Sequence, residues 1–207
     1  MKISASTTKD KSSHVHQRRW LPIIGTQIVL KHYGRRSDLV IGTTIHELAH
    51  ASHWSMDREN YNDLVWKGYI EAETIGMKRH NKRAKRLLET WATTVEIHLT
   101  KRLYQKKYLG TYRYGFLKDD LQRQLISGGE TFDFYTTCGY DMIDNENQSL
   151  SDSRRPIDRV SGYTIKQLEN ALSGCDVWGE WKTKLKRSYD NDTENNLDEL
   201  FNNWTDD

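Results

Sequence analysis

The sequence contains little cysteine, with two residues of this type among 207. Cys138 and Cys175 lie far apart and form no CxxC pair, so they do not make a structural zinc site by themselves. Two interpretations are open: one disulfide in an oxidising compartment, or two buried thiols.

An excess of charge of one sign is also lacking, since 31 basic and 29 acidic residues leave a net charge of +2. A dedicated nucleic-acid-binding protein normally shows a strong basic excess, so the composition argues against that class. No apolar run approaches the roughly 20 residues that cross a bilayer. We therefore expect neither a nucleic-acid partner nor a transmembrane segment.

Apolar residues are few, at 36% of the sequence with a mean hydropathy of −0.85. Seven Trp and eleven Tyr compensate, because each aromatic ring buries a large area. The first 19 residues are polar, without periodicity and without the apolar stretch of a signal peptide. We expect a flexible tail over residues 1–19, one domain over residues 20–207, and either a cytoplasmic protein or a mature fragment that has lost its leader.

Local patterns predict one strand and several helices. Alternating apolar residues favour a strand over residues 27–33, and Ser37 is a helix N-cap that opens a helix over residues 38–54. Further helices are expected over residues 63–77, 82–107 and 117–126, whereas residues 141–155 are typical of a loop. The helix over 82–107 should bury an apolar face made of Leu88, Trp91, Val95, Leu99 and Leu103.

Three more helices are expected in the last fifty residues. Thr164 and Gln167 form a capping-box pair that opens the first. Trp178 lies in the second, and Thr193 is expected to cap the third. The apolar positions of that last helix follow helical spacing: Leu197, Leu200, Phe201 and Trp204.

The predicted helix over 38–54 contains an HExxH motif made of His46, Glu47 and His50. Histidines four residues apart lie on one helical face, so both can bind one Zn²⁺ through a ring nitrogen. Zinc lowers the pKa of a bound water, and Glu47 projects to where it can accept the proton. The motif predicts a catalytic zinc site with two histidine ligands and a general base.

A catalytic zinc also needs a third protein ligand and one open position. The residues after the motif lack an HxxGxxH extension, so the ligand must lie on a later helix. We expect Glu89, because Ala92 and Thr93 are small and allow its helix to approach the histidines closely. Glu96 lies on the same face but about 10 Å further along the axis, so both glutamates are not expected to bind one metal. The remaining candidates, predicted to be solvated surface charges, are Glu71 and Glu73.

Three segments together resemble known zinc peptidases: TTIHELAHASHW, LLETWA and VSGYTIKQLENAL. They are similar to the gluzincin branch of zinc metallopeptidases and, more specifically, to an HExxH metallopeptidase-like family of bacterial cell-envelope proteins. The resemblance covers about residues 20–207. It implies His46, His50 and Glu89 as zinc ligands, Glu47 as general base, and a mature or truncated cell-envelope or secreted protein.

The sequence departs from the gluzincin pattern at two places. Gluzincins often carry an aspartate four residues after the glutamate ligand, where it orients a zinc-bound histidine, but here that position is Thr93. They also have a sheet of several strands before the HExxH helix. Only 45 residues precede His46 here, so we expect a reduced sheet.

An acyl-transfer site needs a hydrogen-bond donor for the developing oxyanion. Tyr163 and Tyr140 are candidates, since each follows a glycine that permits close backbone approach. We assign Tyr163 this catalytic role; the alternative is that both are core tyrosines.

Two other features have alternative interpretations. His53 lies on the face of the HExxH histidines and is either a group beside the metal ligands or a partly exposed residue at the helix end. An acidic cluster is either a Ca²⁺ site or a solvated loop. It consists of Asp141, Asp144, Asn145, Glu146 and Asn147.

Together these observations predict an α+β fold, a mainly helical zincin-like metallopeptidase domain with a short sheet. The strand over residues 27–33 would be an exposed edge that aligns a peptide or protein substrate beside the metal helix. The expected function is zinc-dependent peptide-bond hydrolysis. The alternative is a catalytically inactive zinc-binding or interaction module on a zincin fold.

Overall fold

A computed structural model describes residues 2–6, 13–15, 27–31, 37–107, 134–150 and 153–204 of the chain. The helix expected over residues 117–126 lies outside these ranges. None of the helices in the described part is long and apolar enough to span a membrane.

The first half of the described chain is dominated by two long helices. Helix α1 (Ser37–Met56) begins with Asp38 in its first turn and ends with His53 in its last, both favourable for the helix dipole. Helix α4 (Arg79–Lys107) has 29 residues. The helices expected over residues 38–54 and 82–107 are therefore confirmed.

A composite helical segment connects α1 to α4. It consists of α2 (Arg58–Val65), a π-helix (Trp66–Glu71) and α3 (Ala72–Ile75). It begins five residues before the helix expected over residues 63–77. It ends at Gly76, whose φ of 87° is a conformation that other residues adopt with strain.

The C-terminal part consists of short helices. These are α5 (Cys138–Asp141), α6 (Ile165–Leu172), α7 (Trp178–Ser188) and α8 (Leu197–Asn202), with 3₁₀ turns at Gln148–Leu150 and Glu194–Asn196. The capping box of α6 is confirmed: Gln167 N donates to Thr164 Oγ1 at 3.2 Å, and Thr164 N donates to Gln167 Oε1 at 2.8 Å. Thr193 precedes the last 3₁₀ turn, but its hydroxyl makes no cap hydrogen bond.

Aromatic side chains join the C-terminal helices to α4. The rings of Trp91 and Trp181 meet edge to face at 6.5 Å, and those of Trp178 and Phe201 lie 4.7 Å apart. The indole of Trp181 donates to the carbonyl of Leu168 at 3.0 Å, so its polar atom is satisfied although the side chain is fully buried. These residues belong to the main core, in which α4 packs against the C-terminal helices.

Helix α5 packs against α4 at a distance that only glycine permits. A Cβ atom at Gly139 would lie 2.0 Å from Thr94 Oγ1. The next residue, Tyr140, is buried and accepts a hydrogen bond from Lys101 Nζ at 2.6 Å. The expectation of close backbone approach at this glycine is confirmed.

The predicted α+β fold class is wrong, because the protein is helical. The side chains of the main core come from helices and the loops between them. In the described part of the chain, strand pairing is limited to three short N-terminal segments, β1 (Lys2–Ser6), β2 (Ser13–Val15) and β3 (Gln27–Lys31).

The order of these segments is β1-β3-β2, so β3 has a neighbour on each side. The predicted exposed edge over residues 27–33 is therefore wrong, and with it the prediction that a substrate peptide adds a strand there. In the described residues the sheet is limited to these three short segments, and the segment predicted as its edge is the central one.

The predicted apolar face of α4 holds for only part of the helix. Leu88 and Trp91 are buried, but Leu99 and Leu103 are 38% and 45% exposed. The inward face of the C-terminal half is formed instead by residues that include Glu96, which is 5% exposed. A buried carboxylate on this face indicates that α4 lines a polar site as well as the apolar core.

Candidate metal centre

Helices α1 and α4 bring two histidines and a glutamate together. His46 and His50 lie one turn apart on α1, with ring centroids 4.9 Å apart, and Glu89 faces them from α4. Glu89 Oε2 lies 3.1 Å from His46 Nε2 and 3.6 Å from His50 Nε2. One ligand atom from each residue lies within 4.8 Å of the other two.

This arrangement fits a four-coordinate zinc ion. Ligands at 2.0–2.1 Å from Zn²⁺ with tetrahedral angles are separated by about 3.3 Å, and the two observed distances bracket that value. The side chains are 12%, 9% and 5% exposed for His46, His50 and Glu89, so the site is sheltered from solvent. Two imidazoles and one carboxylate are also a donor set that zinc accepts in catalytic sites.

A second carboxylate, Glu96, contacts the other side of His46. Its Oε2 lies 3.1 Å from His46 Nδ1. Burial disfavours the charged imidazole, but hydrogen bonds to Glu89 and Glu96 outweigh that effect and raise the pKa of His46 to about 10. Burial acts against ionised Glu89 as well, yet hydrogen bonds to His46 and His50 lower its pKa to about 2.

Glu47 and two tyrosines lie around the same three residues. Glu47 is 7% exposed, and its charge acts on both Tyr61 and Tyr135 together with the charge of Glu89. In each tyrosine, burial raises the pKa first and the neighbouring carboxylates raise it further. The predicted general base is therefore beside the predicted ligands.

Tyr135 is the tyrosine at the accessible side of the site. It is 37% exposed, and its ring lies 6.0 Å from that of His46. Tyr135 was not predicted from the sequence, because nothing in the pattern around residue 135 resembles a motif. Its approach to His46 depends on the backbone of residues 134–137, which lead into α5.

The structure does not bring Tyr163 or Tyr140 to the metal centre. Tyr163 is 2% exposed in the main core, and the acidic group acting on it is Glu194. Tyr140 packs with Ile97 and contacts Lys101. Both are core tyrosines, which was the alternative interpretation.

His53 is fully buried, which excludes a partly exposed residue at the helix end. Its ring meets that of Tyr61 edge to face at 5.0 Å, and neither ring nitrogen has a hydrogen-bond partner in the described part of the chain. Burial, followed by the charge of His50, lowers the pKa of His53 to about 3. His53 is therefore a neutral imidazole that packs against Tyr61, next to His50.

The remaining acidic candidates lie elsewhere. Glu71 accepts a hydrogen bond from His80 at 3.0 Å, and Glu73 is exposed. The acidic loop is only partly solvated, because Asp141 is fully buried. A second buried aspartate, Asp158, lies outside the predicted cluster and is 2% exposed. Burial, together with the charges of neighbouring aspartates, raises the pKa of both carboxyls, although Thr137 donates a hydrogen bond to Asp141 at 2.7 Å.

Cys138 and Cys175 are free thiols, both fully buried in the main core. This agrees with the buried-thiol interpretation. Burial raises the pKa of Cys175 to about 11 and that of Cys138 well above its usual value, so neither is a reactive thiolate at neutral pH.

No protein-family model, curated protein or solved structure matches this chain.

Proposed function

We propose that the protein is a zinc-dependent metallopeptidase in which His46, His50 and Glu89 hold the metal. The observation that carries this proposal is the convergence of these three side chains, within 4.8 Å of one another, with Glu47 beside them. Three protein ligands leave a fourth position for water or substrate, as a catalytic zinc requires. Bound zinc supplies Lewis-acid chemistry, polarising the scissile carbonyl and acidifying a water.

The protein side chains supply the proton transfers. Glu47 follows His46 directly in the chain, is outside the metal cluster, and acts by its charge on the same two tyrosines as Glu89. It accepts the proton of the attacking water and returns it to the nitrogen of the leaving amine. The HExxH spacing is therefore used in full: two ligands one turn apart and a base between them.

We further propose Tyr135 as the hydroxyl that stabilises the developing oxyanion, in place of Tyr163. Tyr135 is partly exposed, its ring lies beside that of His46, and its hydroxyl interacts with the proposed ligand Glu89. A hydroxyl that stays protonated is a hydrogen-bond donor, and the raised pKa of Tyr135 keeps it protonated at neutral pH.

Metal content and turnover of four purified proteins test the proposal. Wild type should bind one zinc by atomic absorption and cleave members of a library of unstructured fluorogenic peptides. Glu47→Gln should keep the zinc and lose at least about 10²-fold in turnover, because only the base is removed. Glu89→Ala should lose most of its zinc at micromolar metal, because two protein ligands make a weak site.

Glu73→Ala is the matched control, since Glu73 is exposed and lies outside the metal cluster. It should retain both zinc and activity. Loss of zinc in Glu47→Gln in step with activity would show that Glu47 is a ligand. Stoichiometric zinc without cleavage of any peptide by wild type would instead support the inactive zinc-binding module.

A further inference from the structure

Helix α4 presents two carboxylates to one imidazole. Glu89 and Glu96 are seven residues apart and therefore lie on the same face of the helix, two turns from each other. The ring of His46 lies between them, with Nε2 3.1 Å from Glu89 Oε2 and Nδ1 3.1 Å from Glu96 Oε2. Each ring nitrogen of His46 thus faces a different carboxylate.

The two sides of this ring are not equivalent. On the Nε2 side, His50 Nε2 lies 3.6 Å from Glu89, and these three residues form the metal cluster. Glu96 is outside that cluster. The metal would therefore be bound through His46 Nε2, which leaves Nδ1 to carry the proton.

Glu96 has no other hydrogen-bond partner in the described part of the chain. Its side chain is 7% exposed, and its single hydrogen bond runs to His46 Nδ1. Burying a carboxylate costs desolvation free energy unless the group is hydrogen-bonded or paired with a charge. The contact with His46 is therefore what holds Glu96 in place, and Glu96 in turn fixes the rotation of the ring.

We infer that Glu96 is a positioning residue, which accepts a hydrogen bond from His46 Nδ1–H and so keeps Nε2 directed at the metal. This inference rests on the metal site proposed above. A carboxylate on the outer nitrogen of a histidine ligand fixes the tautomer and makes the inner nitrogen a stronger donor.

The spacing of the two glutamates along α4 is compatible with this role. About 10 Å along the helix axis separates the two glutamates, too far for both to bind one metal. It is not too far for both to contact one imidazole, because the ring nitrogens point in different directions.

Zinc affinity measured against a chromophoric chelator tests the inference. Glu96→Ala should bind zinc about 10- to 100-fold more weakly than wild type, the usual effect of losing such a partner. Glu96→Gln should recover affinity to within a few-fold, since its amide oxygen still accepts from Nδ1–H. Glu73→Ala serves as the control and should match wild type.

The ¹⁵N spectrum of the zinc-loaded protein gives a second readout that does not depend on activity. Wild type and Glu96→Gln should show His46 with Nδ1 protonated and Nε2 bound to metal. Glu96→Ala should show a changed or averaged imidazole pattern. Circular dichroism establishes that each variant is folded, and Glu96→Gln, being isosteric, provides the test if the alanine variant is not.

Two results would overturn the inference. One is a folded Glu96→Ala variant with wild-type zinc affinity and an unchanged His46 spectrum. The other is zinc loss as severe as in Glu89→Ala without rescue by glutamine, which would make Glu96 a ligand. Zinc bound by wild type without peptidase activity would refute the proposed enzyme and leave the role of Glu96 standing.

Discussion

The phenol of Tyr135 is the proposed oxyanion donor, and replacing it by phenylalanine isolates that role. Tyr135→Phe removes one oxygen and leaves the ring beside His46. We expect turnover to fall by about 10²-fold, the lower end of the effect of losing one such donor, with zinc content unchanged. Steady-state kinetics on a cleaved peptide, with atomic absorption on the same sample, measures both.

Tyr163→Phe is the matched control for that experiment. Its hydroxyl is buried and has no hydrogen-bond partner in the described residues, so removing it should change neither zinc content nor turnover. A large fall in turnover for Tyr163→Phe, with none for Tyr135→Phe, would restore the original assignment.

Individual residues of the site differ in how far the sequence predicts them. The pairing of His46 with His50 follows from helical spacing alone and needs no tertiary information. Glu89 was predicted because small residues near it suggested close helix packing, and the structure places it 3.1 Å from His46. Tyr135 was not predictable, because its contact with the site is set by the path of the chain before α5.

At the scale of the elements, the contact between α5 and α4 depends on Gly139. A methyl group there would overlap Thr94, so Gly139→Ala should lower the free energy of unfolding by about 1–3 kcal/mol, the range for overpacking. Gly179→Ala is the control. Gly179 lies in α7 with nothing within 4 Å of its Cβ position, and alanine there should stabilise by about 0.5–1 kcal/mol.

Urea unfolding of both glycine variants measures these changes. Equal effects at the two positions would show that α5 does not pack tightly on α4. Because α5 begins three residues after Tyr135, we also expect Gly139→Ala to lower the turnover of the proposed active site, whereas Gly179→Ala should leave it unchanged.

The elements that the sequence predicted best are those with local signals. Helices α1 and α4 and the capping box of α6 depend on periodicity and on contacts three or four residues apart. The fold class was wrong because the described chain is mainly helical. The predicted edge was wrong because strand pairing depends on distant partners, and β3 pairs on both sides, with β1 and with β2. The burial of Leu99 and Leu103 was also wrong, since periodicity identifies an apolar face but not what covers it.

For the whole molecule, the buried aspartates predict how stability varies with pH. The pKa of Asp141 and that of Asp158 are raised by burial, so the folded protein holds these protons more tightly than the unfolded chain. Their contribution to stability is full below the ordinary aspartate range and is lost as the pH rises toward the raised values. His46, with its pKa raised to about 10, adds to the same trend above pH 6.5.

Asp158→Asn separates the aspartates from the histidine. An amide cannot ionise, so the variant should lose less stability than wild type between pH 5 and pH 9. We expect a difference of at least about 1.4 kcal/mol, which corresponds to a tenfold change in proton affinity. Urea unfolding of the metal-free proteins gives the two curves, and parallel curves would contradict the raised pKa of this pair.

The two buried thiols give the protein its own reporters of local opening. A thiol reagent reaches Cys138 only when α5 separates from α4, and it reaches Cys175 only when the turn between α6 and α7 opens. Labelling rates at the two sites therefore measure opening equilibria in two places of one molecule, without an engineered probe. Comparing these rates with and without metal shows how far the stabilisation extends. An ion held between α1 and α4 slows labelling either near α4 alone or also at Cys175, on the far side of the core.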